Sequence, residues 1–167
     1  MLFRSDRCPL FDLSIDGADN GLRIKSNASR GGLVHDIEYR DVCLRRVKNP
    51  IEMDTHYSAS EETTGSKIPE FRDIRLSNIR VMGGGKVILE GYDAERPLQM
   101  TWDNVTFDDP SKYKVSAQFA ELTFGPGPVN LRPTGADVRI LGTAADAPVS
   151  VCTDKFVPMP SAPTARK

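Results

Sequence analysis

The hydrophobic and polar positions of this chain repeat in a nine-residue pattern. Positions two, four, seven and nine are apolar in nearly every copy, and the exception, Cys8, is itself a small hydrophobe. The alternation typical of a strand holds from position two to four, breaks, and resumes from seven to nine. Each copy is therefore predicted to be two short strands joined by a corner. The copies are RCPLFDLSI (7–15), DIEYRDVCL (36–44), DIRLSNIRV (73–81) and QMTWDNVTF (99–107).

Position six of the pattern is always Asp or Asn: Asp12, Asp41, Asn78 and Asn104. These residue types tolerate the left-handed backbone conformation that a tight corner needs. If the copies stack on one another, the four side chains form a ladder along the corner.

The spacing of the copies predicts the fold. They begin at residues 7, 36, 73 and 99, so the steps are 29, 37 and 26 residues, a range typical of stacked structural repeats. A further strand follows each of the first three copies, at 21–25, 50–54 and 86–90, and no helical period intervenes. Strands that recur without crossover helices indicate an all-β parallel β-helix. The alternative is an antiparallel sandwich, which also has short strands separated by turns.

We expect residues 1–142 to form the coils and residues 143–167 to form a terminal strand and a poorly ordered tail. The longest step contains a polar stretch without periodicity, 54–69, which predicts an insertion between coils. Residues 119–141 indicate strands around a Gly-Pro turn.

Composition excludes several classes of function. The 167 residues carry a formal net charge of -1, which gives no electrostatic reason to expect nucleic acid as a partner. No apolar run is long enough to span a bilayer, so no membrane partner is expected. The first residues lack the charged start and long apolar core of a signal peptide, which predicts that the chain does not direct its own export.

The three cysteines, Cys8, Cys43 and Cys152, are an odd number without the spacing of metal ligands. They indicate neither a disulfide framework nor a zinc site, and we expect ordinary thiols.

Two basic residues stand two apart in the stretch DNGLRIKS (19–26). Alternation turns Leu22 and Ile24 inward, so Arg23 and Lys25 should project outward side by side. Charges on such a face commonly do no more than contact water. An Arg fork with a neighbouring Lys is also suited to binding a carboxylate.

This stretch and the segments downstream resemble glycoside hydrolase family 28, the polygalacturonases that cut pectin. The likeness runs through RGGLVHDIEYRDVCLRRVKNPIEMDTHY (30–57) and FRDIRLSNIRV (71–81) to GPGPVNLRPTGADV (125–138) and VCTDKFVPMP (151–160). It corresponds to the C-terminal portion of that family. The resemblance implies a right-handed parallel β-helix, here with its C-terminal coils only, and a secreted or periplasmic location for an intact member.

The resemblance also implies a site. In that family the Arg and Lys of the basic triplet hold a galacturonate carboxylate beside the bond to be cut, and a Tyr further on assists. Those roles fall on Arg23, Lys25 and Tyr57. The implied partner is an acidic polysaccharide of the galacturonan or pectin type, with no cofactor and no metal.

No catalytic residue is predicted in this chain. Inverting hydrolysis uses two carboxyl groups on opposite sides of the scissile bond. The family supplies them from Asn-Thr-Asp, Asp-Asp and Gly-His-Gly motifs upstream of the triplet, and none of these occurs in residues 1–22. The pair Asp108-Asp109 lies far downstream and precedes a Pro, so a capped turn is expected there.

Three hypotheses follow. The chain is the C-terminal portion of a polygalacturonase-type hydrolase, inactive alone; or it is a non-catalytic module that binds uronate polysaccharide; or it is a remnant without a function. We also expect self-association through an uncapped end of the β-helix, because such an end exposes apolar side chains and unpaired backbone.

Overall fold

The computed structural model describes residues 8–58 and 65–143, together with residues 152 and 156. These residues form strands and one short 3-10 turn, Pro110–Lys112. The strands are β1 (Cys8–Asp16), β2 (Asn20–Lys25), β3 (Gly32–Val34), β4 (Ile37–Arg45), β5 (Asn49–Asp54), β6 (Pro69–Phe71), β7 (Ile74–Met82), β8 (Gly85–Glu90), β9 (Leu98–Phe107), β10 (Tyr113–Phe124) and β11 (Ala136–Gly142).

Every pairing between these strands is parallel. The large sheet has the order β1-β4-β7-β9-β10-β8-β5-β2, β11 pairs with β10, and β3 pairs with β6 in a small second sheet. The first part of β10 pairs with β8 and its last part with β9, so this strand joins the two halves of the large sheet. The prediction of a parallel β-helix is confirmed, and the antiparallel sandwich is excluded.

The nine-residue copies stack in the predicted register. Position four shows this, because Leu10 pairs with Tyr39, Tyr39 with Leu76, and Leu76 with Trp102. Trp102 is fully buried and its ring stacks on Phe124, with 5.7 Å between the ring centres. From Tyr39 onwards position four therefore lines one continuous core, as the pattern predicts, whereas Leu10 of the first copy is exposed.

The predicted corner ladder is also present. The position-six residues Asp12, Asp41, Asn78 and Asn104 all have a left-handed backbone, with φ of 55°, 57°, 56° and 60°. The Nδ2 atom of Asn78 donates to Oδ1 of Asp41 at 2.9 Å, and the Nδ2 atom of Asn104 donates to Oδ1 of Asn78 at 2.7 Å. These side-chain hydrogen bonds recur in successive coils and link each coil to the next.

The interpretation of the cysteines was wrong. Cys43 and Cys152 form a disulfide across 109 residues of sequence, and Cys8 is an exposed thiol. Cys43 occupies position eight of its copy, which points away from the apolar core, and a residue near the end of the chain covers it there. The sequence does not show this contact because nothing in the repeat indicates which later residue crosses position eight.

The proposed boundary at residue 142 remains a prediction. Strand β11 ends at Gly142, and most of 143–167 lies outside the described residues, as does the centre of the 54–69 insertion. In the described ranges, no helix has the length and apolar character that crossing a membrane requires.

Candidate functional site

Two cationic side chains project together from strand β2. Leu22 is buried in the core, whereas Arg23 is half-buried and Lys25 is exposed. Both cations contact the ring of Tyr57: the guanidinium carbon of Arg23 lies 5.1 Å from the ring centre, and Nζ of Lys25 lies 3.7 Å from it. Because both reach one ring, they lie on the same side of β2, as the alternation of the strand predicts.

Tyr57 is held in place by the segment that follows β2. Its backbone N–H donates to the carbonyl of Ser26 at 3.0 Å, and its own carbonyl accepts from Nδ2 of Asn27 at 2.9 Å. Asn27 is fully buried. The structure thus brings together the three residues that the resemblance singled out, while their role in binding stays a prediction.

The cations change the ionisation of the Tyr57 hydroxyl. Hydrogen bonding and charge from Lys25, and then from Arg23, hold the pKa of Tyr57 below that of an ordinary tyrosine. A shift in this direction means that the surroundings of the hydroxyl favour a negative charge. An anionic ligand group at the same place would experience the same field.

Glu52 lies beside Arg23 in the neighbouring coil. The two residues are register partners on β2 and β5, and Oε1 of Glu52 lies 2.9 Å from Nε of Arg23. Glu52 is only 4% exposed, and among the described residues its Oε2 atom has no hydrogen-bond partner. Nε of Arg23 likewise has no hydrogen-bond partner among the described residues, so the contact is an ion pair in which Glu52 supplies a buried counter-charge to Arg23.

Two further carboxylates continue along the same face. Lys25 pairs in register with Asp54 on β5, and Asp54 pairs with Glu90 on β8. Burial raises the pKa of Asp54, and the negative charges of Glu90 and Glu52 add to the effect. We call Glu52, Asp54 and Glu90 the acidic row. The outward face is thus positive on β2 and negative on the two coils that follow.

His56 precedes Tyr57 but is engaged elsewhere. Its ring stacks on Tyr92 with 5.2 Å between the ring centres, and its Nε2 lies 2.9 Å from the carbonyl oxygen of Tyr92. Its backbone N–H donates to Oδ1 of Asp54 at 2.8 Å. These contacts connect the loop after β5 to the loop after β8.

The pair Asp108-Asp109 forms the capped turn that the sequence predicts. Oδ1 of Asp109 accepts from the backbone N–H of Ser111 at 3.1 Å and caps the 3-10 turn. Oδ1 of Asp108 accepts from the Tyr113 hydroxyl at 2.9 Å. In the part of the chain that the structure describes, no group of three or more His, Cys, Asp or Glu residues is arranged to hold a metal ion.

Sequence reasoning missed two residues of this site. Glu52 lies 29 residues after Arg23, the same distance that separates the first two copies, so its position was available as a signal. Arg30 also approaches Tyr57, with its guanidinium carbon 5.9 Å from the ring centre. It lies in the loop after β2, where no strand pattern indicates the direction of a side chain.

Comparison with known proteins connects this geometry to a family. The family model for glycosyl hydrolases family 28 matches residues 9–123. A polygalacturonase of Ralstonia solanacearum is 39% identical and one of Ralstonia nicotianae is 37% identical, each over 92% of this chain and about a third of its own length. An endo-polygalacturonase of Pectobacterium parmentieri is 36% identical over 62% of this chain and 25% of its own length. No solved structure matches.

The match extends over most of the described coils, and it includes strands β2 and β5 and the loop that carries Tyr57. The chain spans about a third of the length of the two Ralstonia relatives. On the extent of the family match and the level of identity, this chain belongs to glycosyl hydrolase family 28.

Proposed function

We propose that this chain binds galacturonan through Arg23, Lys25 and Tyr57, as part of a polygalacturonase-type hydrolase. The observation that carries the proposal is the convergence of the two cations on one tyrosine ring, at 5.1 Å and 3.7 Å. A fold built from stacked parallel strands holds these groups together on a rigid face.

The chemistry of the three side chains suits a uronate. The guanidinium of Arg23 can donate two parallel hydrogen bonds to one carboxylate, and Lys25 adds a second positive charge. The Tyr57 hydroxyl donates one further hydrogen bond beside them. A neutral sugar offers no group that would use both charges, so binding should depend on the free carboxylate.

We infer that these 167 residues bind without cleaving. Hydrolysis needs two carboxyl groups placed around the scissile bond, and the family motifs that supply them are absent from residues 1–22. Glu52 of the acidic row is buried against Arg23. A buried carboxylate in an ion pair is poorly placed to activate water.

The first test is a calorimetric titration of the chain with trigalacturonate at low ionic strength. We expect saturable binding that weakens as salt is added, because the contacts are charged. The fully methyl-esterified trimer is the matched control and should bind at least about tenfold more weakly. A reducing-sugar assay on polygalacturonate should show no turnover. Equal affinity for the two trimers would contradict the proposal.

We also infer that the chain self-associates through strand β1. Leu10 and Phe11 of this strand are exposed, at 36% and 56%, and β1 pairs with β4 on one side while no strand of the described ranges pairs with its other side. Exposed edge strands with apolar side chains promote association. Sedimentation velocity should show mass that increases with concentration, and Phe11→Lys should shift the chain towards monomer. A monomer at all concentrations would contradict the inference.

A further inference from the structure

The side chain of Asn27 connects two segments of the site. It lies in the loop between β2 and β3, residues 26–31, and is fully buried. Its Nδ2 atom donates to the carbonyl of Tyr57, 30 residues further on, at 2.9 Å. The resemblance assigns roles to two residues on β2 and to Tyr57, but none to this buried amide.

The oxygen end of the amide is held by its own loop. Oδ1 of Asn27 accepts from the backbone N–H of Arg30 at 3.1 Å and from the hydroxyl of Ser29 at 2.8 Å. The hydroxyl of Ser26 closes the same loop by donating to the carbonyl of Gly31 at 2.8 Å. A backbone N–H can donate only to the oxygen of an amide, so these bonds fix which end of the side chain faces the neighbouring coil.

The segment that carries Tyr57 is bonded in two directions. Two residues earlier, the backbone N–H and the hydroxyl of Thr55 donate to the carbonyl of Glu90 at 3.2 and 3.0 Å, which ties this point to the following coil. Tyr57 is bonded instead to the preceding coil, through the carbonyl of Ser26 and through Nδ2 of Asn27. The change of direction therefore falls at the residue whose ring contacts the cations.

The backbone also changes conformation directly after Tyr57. Ser58 has φ of 65°, a left-handed conformation that is uncommon for residues other than glycine. The hydrogen bond from Asn27 holds the carbonyl of the peptide that joins Tyr57 to Ser58. Removing this bond frees the peptide to rotate towards a commoner conformation, and the side chain of Tyr57 then moves with its backbone.

The exact position of the Tyr57 side chain matters because two cations contact it. Nζ of Lys25 lies 3.7 Å from the ring centre and the guanidinium carbon of Arg23 lies 5.1 Å from it. Hydrogen bonds weaken steeply when donor and acceptor are misaligned. A ring that moves away from β2 therefore loses its contact with both cations and no longer shares a ligand with them.

We propose that Asn27 is a positioning residue for Tyr57, which it holds beside Arg23 and Lys25. This inference rests on the proposed function and extends it. Asn27 is buried and does not touch the saccharide. It acts through Tyr57, because its amide joins the loop after β2 to the loop after β5.

The first test follows the ionisation of Tyr57 by the ultraviolet absorbance of tyrosinate, and it needs no ligand. Hydrogen bonding and charge from the two cations hold the pKa of Tyr57 low, whereas burial raises the pKa of Tyr39 and of Tyr113. An early step in the titration that Tyr57→Phe abolishes is therefore assigned to Tyr57. In Asn27→Ser we expect this step to move to higher pH, because the ring leaves the cations.

Serine separates the two ends of the amide. Its hydroxyl can still accept from a backbone N–H of the loop, but it is too short to reach the carbonyl of Tyr57. Ser29→Ala is the matched control, because it removes one hydrogen bond to Oδ1 of Asn27 and leaves the donor Nδ2 unchanged. The early step should stay at the same pH in this control.

The second test connects the position of Tyr57 to binding by calorimetry with trigalacturonate. We expect Asn27→Ser to bind about tenfold more weakly than the unaltered chain, the size of effect expected when one hydrogen bond to a charged group is lost. Ser29→Ala should bind like the unaltered chain. The double variant Asn27→Ser, Tyr57→Phe should bind no more weakly than Tyr57→Phe alone, since Asn27 acts through Tyr57.

Four results would overturn the inference: no early step in the unaltered chain, an unmoved step in Asn27→Ser, binding losses that add in the double variant, or an Asn27→Ser chain that circular dichroism shows to be unfolded. The last would assign Asn27 to the fold as a whole. In each case loss of binding in Arg23→Ala would leave the proposed function intact. If the unaltered chain bound no trimer, the proposed function would fail, while the titration would still decide the role of Asn27.

Discussion

Replacing Arg23 with alanine should remove galacturonate binding and also destabilise the fold. We expect trigalacturonate affinity to fall by more than about tenfold, because the bidentate donor is lost. We expect the free energy of unfolding to fall by about 2–3 kcal/mol, because Glu52 is then left buried without a counter-charge. The cost is below that of a fully buried pair, since 27% of the Arg23 side chain is exposed.

The two effects have separate causes, and two further variants separate them. In the double variant Arg23→Ala, Glu52→Gln the buried charge is gone, so stability should largely return while binding stays lost. Lys25→Ala is the converse control: Lys25 is exposed and has no ion pair among the described residues, so this variant should lose affinity with little change in stability.

Urea unfolding measured by far-UV circular dichroism gives the stabilities, and calorimetry gives the affinities. If the double variant were as unstable as Arg23→Ala, the destabilisation would not come from Glu52. If Arg23→Ala bound the trimer like the unaltered chain, Arg23 would have no role in binding.

The corners of the β-helix show how much of the fold the sequence predicts. Position six was predicted because Asp and Asn favour the left-handed conformation and occur there in all four copies. The residue two places after the end of each of the first three copies is also left-handed: Gly17, Arg46 and Gly83 have φ of 68°, 53° and 101°. This second corner was not predicted, because Arg46 interrupts what would otherwise be a glycine at the same place in each copy. This arginine tolerates the strained backbone while its Nε and Nη2 atoms donate to Asp16 at 2.9 and 2.7 Å.

The site was only partly predictable for a related reason. Alternation within one strand places Arg23 and Lys25 on a common face, and local sequence suffices for that. The positions of Glu52 and Tyr57 depend on how one coil stacks on the next, which alternation alone does not fix. Tyr57 was identified through the family resemblance. Arg30 was not identified, because the position of its backbone depends on hydrogen bonds made by the buried Asn27 side chain.

Replacing Trp102 with alanine should give the largest loss of stability. Trp102 shares position four of the nine-residue pattern with Tyr39, an apolar position that the pattern places in the core. The Trp102 side chain is fully buried and lies between Phe107 and Phe124, with ring centres 6.4 Å and 5.7 Å away. Removing it leaves a cavity, which typically costs about 3–5 kcal/mol.

Trp102→Phe tests whether volume or the indole matters. Within the described residues the Nε1 atom of Trp102 has no hydrogen-bond partner, so phenylalanine removes an unsatisfied buried donor along with some volume. We therefore expect a cost of no more than about 1.5 kcal/mol for this variant. Because Trp102 is the single tryptophan, unfolding must be followed by circular dichroism rather than by fluorescence.

Galacturonate binding by Trp102→Phe distinguishes a core residue from a sugar platform. A core residue affects binding only through folding, so the folded phenylalanine variant should bind trigalacturonate like the unaltered chain. If Trp102 instead stacked on a saccharide, Trp102→Phe would bind trigalacturonate more weakly while its stability stayed nearly unchanged. The second outcome would mean that position four of the repeat faces a ligand. It would contradict the buried positions of Tyr39 and Trp102 in the core.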